Sequence, residues 1–348
     1  MTVLKALGFS RKGFTLVELM VALVLSFILV GAIYGTFTSQ QKSYTVQDQI
    51  AEAQQNARMA MNVLMRDIRM AGYGMPDGGI TIGSPPNRET YTNAIQITKN
   101  GNEQPDSITL VGAFGAPSGY LARTVSPGST QLFLRSSHEA SNFDATDNRY
   151  IFIGGLDTVT ILSVSGNVIT LNETTKVRYP TAILTAGVGS GDTNLSVVDG
   201  SGLNSGDVLS LGTETITITA VSPQTITVDT DLETAGNQGI TGTYPAGTII
   251  NPIPVFRVTA VEYILDPYYG SFTRADMAVI AGGGTATELA GNIDDIQIDP
   301  DDQADQSSYT VTLTARTKNP DPDYIADPQG YRKRVLQSRV ALRNLRGE

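Results

Sequence analysis

Between Phe14 and Phe37 the sequence runs for 24 residues with one charged side chain, Glu18. At about 1.5 Å per residue, a helix over this stretch is roughly 36 Å long, enough to cross a hydrocarbon core of about 30 Å. The run is too long and too unbroken for a secretory h-region with a small-residue cleavage site behind it. Ahead of it stands MTVLKALGFSRKG, whose only charges are Lys5, Arg11 and Lys12. Positive charge before a span holds that end in the cytoplasm. The expectation is a single-pass membrane anchor, N-terminus cytoplasmic, with everything beyond the span exported.

The helix does not stop at the membrane. No proline occurs before Pro76, and apolar or small residues recur at Val46, Ile50, Ala53, Ala57, Met61, Leu64, Ile68 and Ala71. Steps of three and four keep these positions on one face. Gly72-Tyr73-Gly74-Met75-Pro76 then supplies a stop. One helix is therefore predicted over about 14–71, its lower half in lipid and its upper half against a sheet. The remainder is rich in Gly, Thr, Ser, Asp and Asn with short Val/Ile/Thr runs between them, a texture of antiparallel strands and turns. The predicted fold class is α+β: a long N-terminal helix packed on an antiparallel β headpiece that carries an inserted all-β repeat region.

Charge and composition narrow the function. The net charge is −10, but residues 1–71 hold seven Lys/Arg against four Asp/Glu, which leaves 17 against 30 for the rest. An acidic exported part argues against a nucleic-acid grip, which needs a basic face. Without cysteine there is no disulfide, thiolate nucleophile or Cys-based zinc site. The single histidine, His138, sits among Ser136, Ser137 and Glu139 in a predicted loop, and no G-x-S-x-G elbow accompanies it. No cofactor is expected, and no enzyme activity.

Glu18 is the residue that asks for an explanation. A carboxylate in a spanning helix costs about 2.5–3.5 kcal/mol at mid-membrane and less near an end, so such residues usually have a partner. A cut between Gly13 and Phe14 would create an α-amine with a pKa near 7.7–8.0, mostly cationic at neutral pH. That amine and Glu18 of a neighbouring copy could pair in an apolar core and set register more than net stability. Gly31 and Gly35 form a G-x-x-x-G pair that permits close helix contact, marks a point of unwinding, or is simply tolerated.

Here the residues carry a resemblance. Arg11-Lys12-Gly13-Phe14-Thr15-Leu16-Val17-Glu18-Leu19-Met20 resembles the prepilin cleavage and methylation motif of type IV pilins and pseudopilins. The resemblance implies that prepilin peptidase cuts between Gly13 and Phe14 and methylates the Phe14 amine, with this chain as the substrate. Arg66-Asp67-Ile68-Arg69-Met70-Ala71-Gly72-Tyr73 is similar to the phrase that closes the helix in PilW-type minor pilins. Asp106–Leu110, Val261–Leu265, Leu289–Ile298 and Arg339–Asn344 follow the strand order of that family. Many relatives place cysteines after the Ala-Gly-Tyr phrase and near the C-terminus; this chain has none.

The resemblance divides the chain into a leader (1–13), the transmembrane and oligomerisation helix (14–71) and a pilin-like headpiece (72–117 and 246–348). Residues 118–245 fall outside it and resemble themselves. Thr158–Leu171 aligns with Thr215–Val228 at seven identical positions of fourteen. Two tandem β modules, about 118–180 and 181–245, are expected to read strand, loop, strand, strand, turn, strand.

Other constellations are set aside. Asp294, Asp295, Asp299, Asp301, Asp302 and Asp305 offer oxygens to calcium, with Asp299, Asp301 and Asp305 the best candidates, but the EF-hand order is missing. A solvated acidic loop is the expected reading, with no metal. Asp321, Asp323 and Asp327 among prolines read as turns, and Arg332, Lys333 and Arg334 are expected to pair with the acidic stretch.

The implied role is a minor pilin that primes or caps a type IV pilus. Its partners would be prepilin peptidase, other minor and major pilins, the inner-membrane assembly platform and the lipid bilayer; no nucleic acid is expected. It would move from the inner membrane to the pilus at the cell surface. The alternatives are a minor pseudopilin of a type II secretion system and a membrane-tethered adhesin.

Overall fold

The computed structural model describes residues 13–343, apart from 84–87, 102–103, 147–148, 232, 282 and 303–306. Residues 1–12 of the leader lie outside the described residues. The chain divides into two compact units, residues 1–55 with 316–334 and residues 56–315 with 335–348. A helix of 55 residues, Leu16–Met70, runs from the first into the second, and many antiparallel strands follow. The architecture is α+β: one long N-terminal helix followed by antiparallel sheets.

The helix starts where its sequence supplies a cap and ends where glycine allows the chain to turn. Ala71 and Tyr73 amides tighten onto the Ile68 and Met70 carbonyls, and Gly72 has φ 82°, a left-handed conformation that costs glycine little. Gly74, also at positive φ, lies so close to the Phe152 ring that an added Cβ would meet it at 2.6 Å. The Gly-Tyr-Gly stop is thus a packing requirement as well as a break. Tyr73, between the two glycines, sets its ring edge-on to Phe152 at 4.7 Å.

In the first unit, the helix up to residue 55 is accompanied by the segment 316–334. The Asn319 amide donates to Gln49 Oε1 at 3.3 Å, and Lys42 lies 3.7 Å from Asp323. The segment closes on itself: Arg332 donates to Asp321, lies over the Tyr324 ring at 4.7 Å, and Lys333 reaches Asp327. Among the described residues, Arg332 and Lys333 of the basic run thus pair with acids of the proline-bounded turns, and Thr317 and Arg332 are hydrogen-bonded across the base of this loop. Exposed pairs of this kind add little stability.

In the second unit, the last turns of the helix bury Ala57, Ala60, Met61, Leu64, Ile68 and Ala71, the face that the three- and four-residue spacing marks. A five-stranded sheet runs in the order Thr287–Ala290, Ser271–Asp276, Thr259–Asp266, Ser107–Gly112, Ile95–Thr98. Direct bonds tie the helix end to it and its flanks. Asn56 donates to the Gly291 carbonyl, the Tyr263 hydroxyl donates to Asp67, and the Gly72 amide donates to the Val111 carbonyl. A three-stranded sheet is formed by Ile293–Pro300, Ser308–Arg316 and Lys333–Ala341. Its middle strand buries Tyr309, Val311, Leu313 and Ala315, a period of two that fits a sheet with one covered face.

Two further sheets of the unit share a strand path. Tyr150–Ile153, Asp157–Ser165, Val168–Leu171 and Gln131–Phe133 are neighbours in that order within a six-stranded sheet. Val208–Leu211, Glu214–Ser222, Thr225–Asp229 and Asn194–Ser196 follow the same path in a four-stranded sheet. Each long strand is interrupted at one place, between Ile161 and Ser163 in the first and between Ile218 and Ala220 in the second. Each sheet lies on its own apolar cluster, one around Leu132, Ile151 and Ile169, the other around Leu195, Leu209 and Ile226. Arg178 holds Asp207 with both Nη atoms at 2.8 and 2.7 Å. Ile249–Ile250 pairs with Ala182–Ile183, and Pro254–Arg257 pairs with Tyr150–Ile153 and Gly119–Tyr120. Pro254–Arg257, from the stretch that sequence reading assigns to the headpiece, thus belongs to the six-stranded sheet, while Ile249–Ile250 forms a two-stranded sheet with Ala182–Ile183.

Candidate functional site

The site begins at an open junction. Phe14 is 90% exposed and nothing lies within 4 Å of a Cβ built on Gly13. Among the described residues nothing packs over this junction. Arg11 and Lys12 lie outside the described residues.

One residue further on, Thr15 and Glu18 hold each other. The Glu18 amide donates to Thr15 Oγ1 at 3.2 Å, while the Thr15 amide and hydroxyl donate to Glu18 Oε2 at 2.9 and 3.0 Å. This is a capping box: a threonine at the N-cap and a glutamate three residues on, each satisfying the other's backbone N–H. A carboxylate at a helix N-terminus also faces the positive end of the helix dipole. Glu18 thus has an intramolecular partner, which sequence reasoning missed although the T-x-x-E spacing is in plain view. All three bonds fall on the Thr15 side, and Oε1 has no partner among the described residues. The carboxylate can cap its own helix and still accept from a cation.

From Leu16 to Phe37 the large apolar side chains are exposed around the whole circumference. The helix is long and apolar enough to cross a membrane. Its hydroxyls do not oppose this, because Ser26 and Thr36 donate to the carbonyls of Ala22 and Ala32 at 2.8 and 3.0 Å. A polar group bonded inside its own helix spares the lipid an orphan donor. Gly31 and Gly35 have nothing within 4 Å of an added Cβ, so the small-residue face is open in the single chain.

A model of the prokaryotic N-terminal methylation motif matches residues 8–34. The chain carries a prepilin-type N-terminus. The match spans the Gly13–Phe14 junction, Glu18 and Gly31, and it indicates a type IV pilin- or pseudopilin-like protein that prepilin peptidase processes. Apolar helix and motif together fit a membrane-anchored pilin with the rest exported. No curated protein and no solved structure matches the chain.

At the other end of the helix Asp67 is 1% exposed. Its Oδ2 accepts from the Tyr263 hydroxyl at 2.7 Å and from Arg274 Nε at 2.9 Å, and Arg66 Nε approaches Oδ1 at 3.2 Å. Burial, and after it the Asp67 charge, push the Tyr263 hydroxyl far above its usual pKa. Sequence reading quotes Asp67 within a family phrase without foreseeing that role; its partners lie some 200 positions away.

The remaining candidates resolve into ordinary bonding. Asp299 accepts from Lys99 Nζ at 2.8 Å, and the same ammonium bonds buried Asp106 at 2.7 Å. Asp301 accepts from Arg339 Nε at 2.5 Å and from the Thr310 hydroxyl, and bonds from Ser308, Thr310 and Arg339 hold its carboxyl down at about 2. Asp305 lies outside the described residues. Among the described residues no three His, Asp or Glu side chains gather as a metal site would require. The acidic stretch is therefore not a solvated loop throughout: Asp299 belongs to the strand Ile293–Pro300 and is ion-paired. His138 lies exposed in a one-turn helix, Ser137–Ala140, rather than in a loop. Its neighbour Glu139 turns to the Tyr120 amide and to Arg135.

Proposed function

We propose that this chain is a PilW-like minor pilin, a structural and assembly protein without catalytic activity that primes or caps a type IV pilus. The observation that carries the reading is a methylation motif set on a helix whose first third is apolar on every side. Such a rod is satisfied by lipid before assembly and by other such rods after it. Prepilin peptidase removes residues 1–13 in the cytoplasm-facing leader and methylates Phe14. The new amine then pairs with Glu18 of a neighbouring subunit and sets vertical register, while Gly31 and Gly35 allow close approach. The Arg66–Tyr73 phrase at the helix end supports the PilW assignment within the wider pilin group.

We further infer that residues 118–245 are two copies of one β module inserted into the headpiece. The shared strand path, the bulge at aligned positions 162 and 219, and the separate apolar clusters support this. Placed in a filament, the modules would project from its surface.

Two substitutions test the register role. Glu18→Gln keeps an acceptor that a capping box tolerates and removes the charge; Glu18→Ala removes both. If charge sets register, both variants are processed and membrane-bound but fail to enter pili. Normal entry of Glu18→Gln with failure of Glu18→Ala would reduce Glu18 to a cap. Recovery of the chain in purified pili separates the minor-pilin reading from a secretion pseudopilin or a tethered adhesin.

A further inference from the structure

Arg66, Arg257 and Arg274 line one pocket of about 430 Å³ in the second unit, together with Val63, Phe114 and Asp276. Two carboxylates serve these three guanidinium groups. Asp67 accepts from Nε of Arg66 and Nε of Arg274. Asp276 accepts from Arg257 Nη2 at 3.1 Å, and its other oxygen is taken by the Thr259 hydroxyl and the Ala278 amide. A guanidinium carries five N–H donors, and only one nitrogen of each arginine is used. Both Nη atoms of Arg66 and Arg274 have no acceptor among the described residues, nor do Nε and Nη1 of Arg257.

The layering has a direction. Asp67 is buried behind the pocket, whereas the side chains of Arg274, Arg257 and Arg66 are 24%, 31% and 64% exposed. The Tyr263 hydroxyl also donates to Asp67, which fixes that carboxylate as an acceptor at the back. Three cations against two anions leave one positive charge, although residues 72–348, which supply two of the three arginines, hold 30 acids against 17 bases. Planar forks with free parallel N–H groups match a carboxylate in bidentate geometry. A single uncompensated charge suits a monoanion better than a phosphate dianion, and Val63 and Phe114 offer apolar contact to a methylene stem.

We propose that this pocket binds a carboxylate presented on a short aliphatic stem, as in a glutamate side chain. Such a group can come from an acidic segment of a partner protein or from a free small acid. Full-length protein in detergent micelles, with N-acetyl-glutamate amide as the probe and ligand-observed saturation-transfer NMR as the readout, tests this. Binding in the millimolar range is expected, with none for N-acetyl-glutamine amide. The Arg66→Gln/Arg257→Gln double variant should bind at least tenfold more weakly while its unfolding temperature is retained, since Asp67 keeps Arg274 and Tyr263. Arg66→Glu alone should abolish binding and serves if the double variant folds poorly. A glutamate-containing peptide that binds more tightly than N-acetyl-glutamate amide assigns the source to a protein; tighter binding of butyrate assigns it to a small acid. Equal signals from wild type and both variants, no signal from the glutamate probe, or a response to inorganic phosphate alone would overturn the assignment.

Discussion

Residues 16–37 and residues 57–70 belong to one unbroken helix, yet they are held in different ways. Around the first stretch, leucine, valine, isoleucine and phenylalanine side chains are exposed on every side, and Gly31 and Gly35 face open space. Along the second, one face from Ala57 to Ile68 is buried and Asp67 is bonded to Tyr263 and Arg274. The difference teaches where each stretch finds its stability. The upper stretch has made its contacts within the chain. The lower stretch has satisfied its serine and threonine hydroxyls and left a large apolar surface that water does not tolerate. What completes it must come from outside, first lipid and then other helices.

That contrast can be attacked in order of effect. Replacing Asp67 with Ala leaves Arg274 and Tyr263 without their buried acceptor and should cost about 3–5 kcal/mol, read as a lower urea midpoint for the full chain in micelles. Leu64→Ala should cost about 2–5 kcal/mol by cavity formation. The corresponding truncation below, Leu25→Ala, should leave that midpoint where it was; an equal loss would break the comparison. Leu25→Arg raises the insertion cost by about 3 kcal/mol and should move much of the chain out of the membrane fraction, which carbonate extraction would report. Thr15→Ala removes half of the capping box for about 1 kcal/mol, and the Glu18 amide should then exchange faster with deuterium while Leu64 and its neighbours do not change.

The smallest effect concerns one buried tyrosine hydroxyl. The Tyr179 hydroxyl is buried and, among the described residues, makes no hydrogen bond; burial and the nearby Asp157 charge push its pKa up. The corresponding corner of the other sheet places Glu214, one methylene longer, within 2.7 Å of the Tyr244 hydroxyl while it also accepts from the Thr241 and Gly242 amides. Asp157 takes the Lys176 and Val177 amides but does not reach its tyrosine. Asp157→Glu should therefore stabilise the protein by about 1 kcal/mol. A loss of stability would mean the two corners are not equivalent.

Much of this was legible in the residues. The apolar run, the spacing from Val46 to Ala71 and the Gly-Tyr-Gly stop place the helix within two residues of its ends, because each is a local pattern with a local cause. The Thr15–Glu18 box was equally local, but the cost of a charge in lipid drew the reading of Glu18 toward a partner on another chain. Pairings that depend on how the chain folds back were not legible, whether 200 positions apart, as Lys99 and Asp299, or 11, as Arg332 and Asp321. Nothing near Lys99 says that it bridges Asp106 and Asp299, and nothing near Arg332 says that it folds back on Asp321. Sheet completion by 254–257 was likewise hidden, since a short strand carries no mark of its neighbour.

The account rests on the first third of the helix being made for company after a cut at its base. Mass spectrometry of the N-terminal peptide from the membrane and pilus fractions addresses this directly. A mature chain beginning at N-methylated Phe14 is the predicted result; an intact Met1–Gly13 leader on the protein in its assembled location would contradict it.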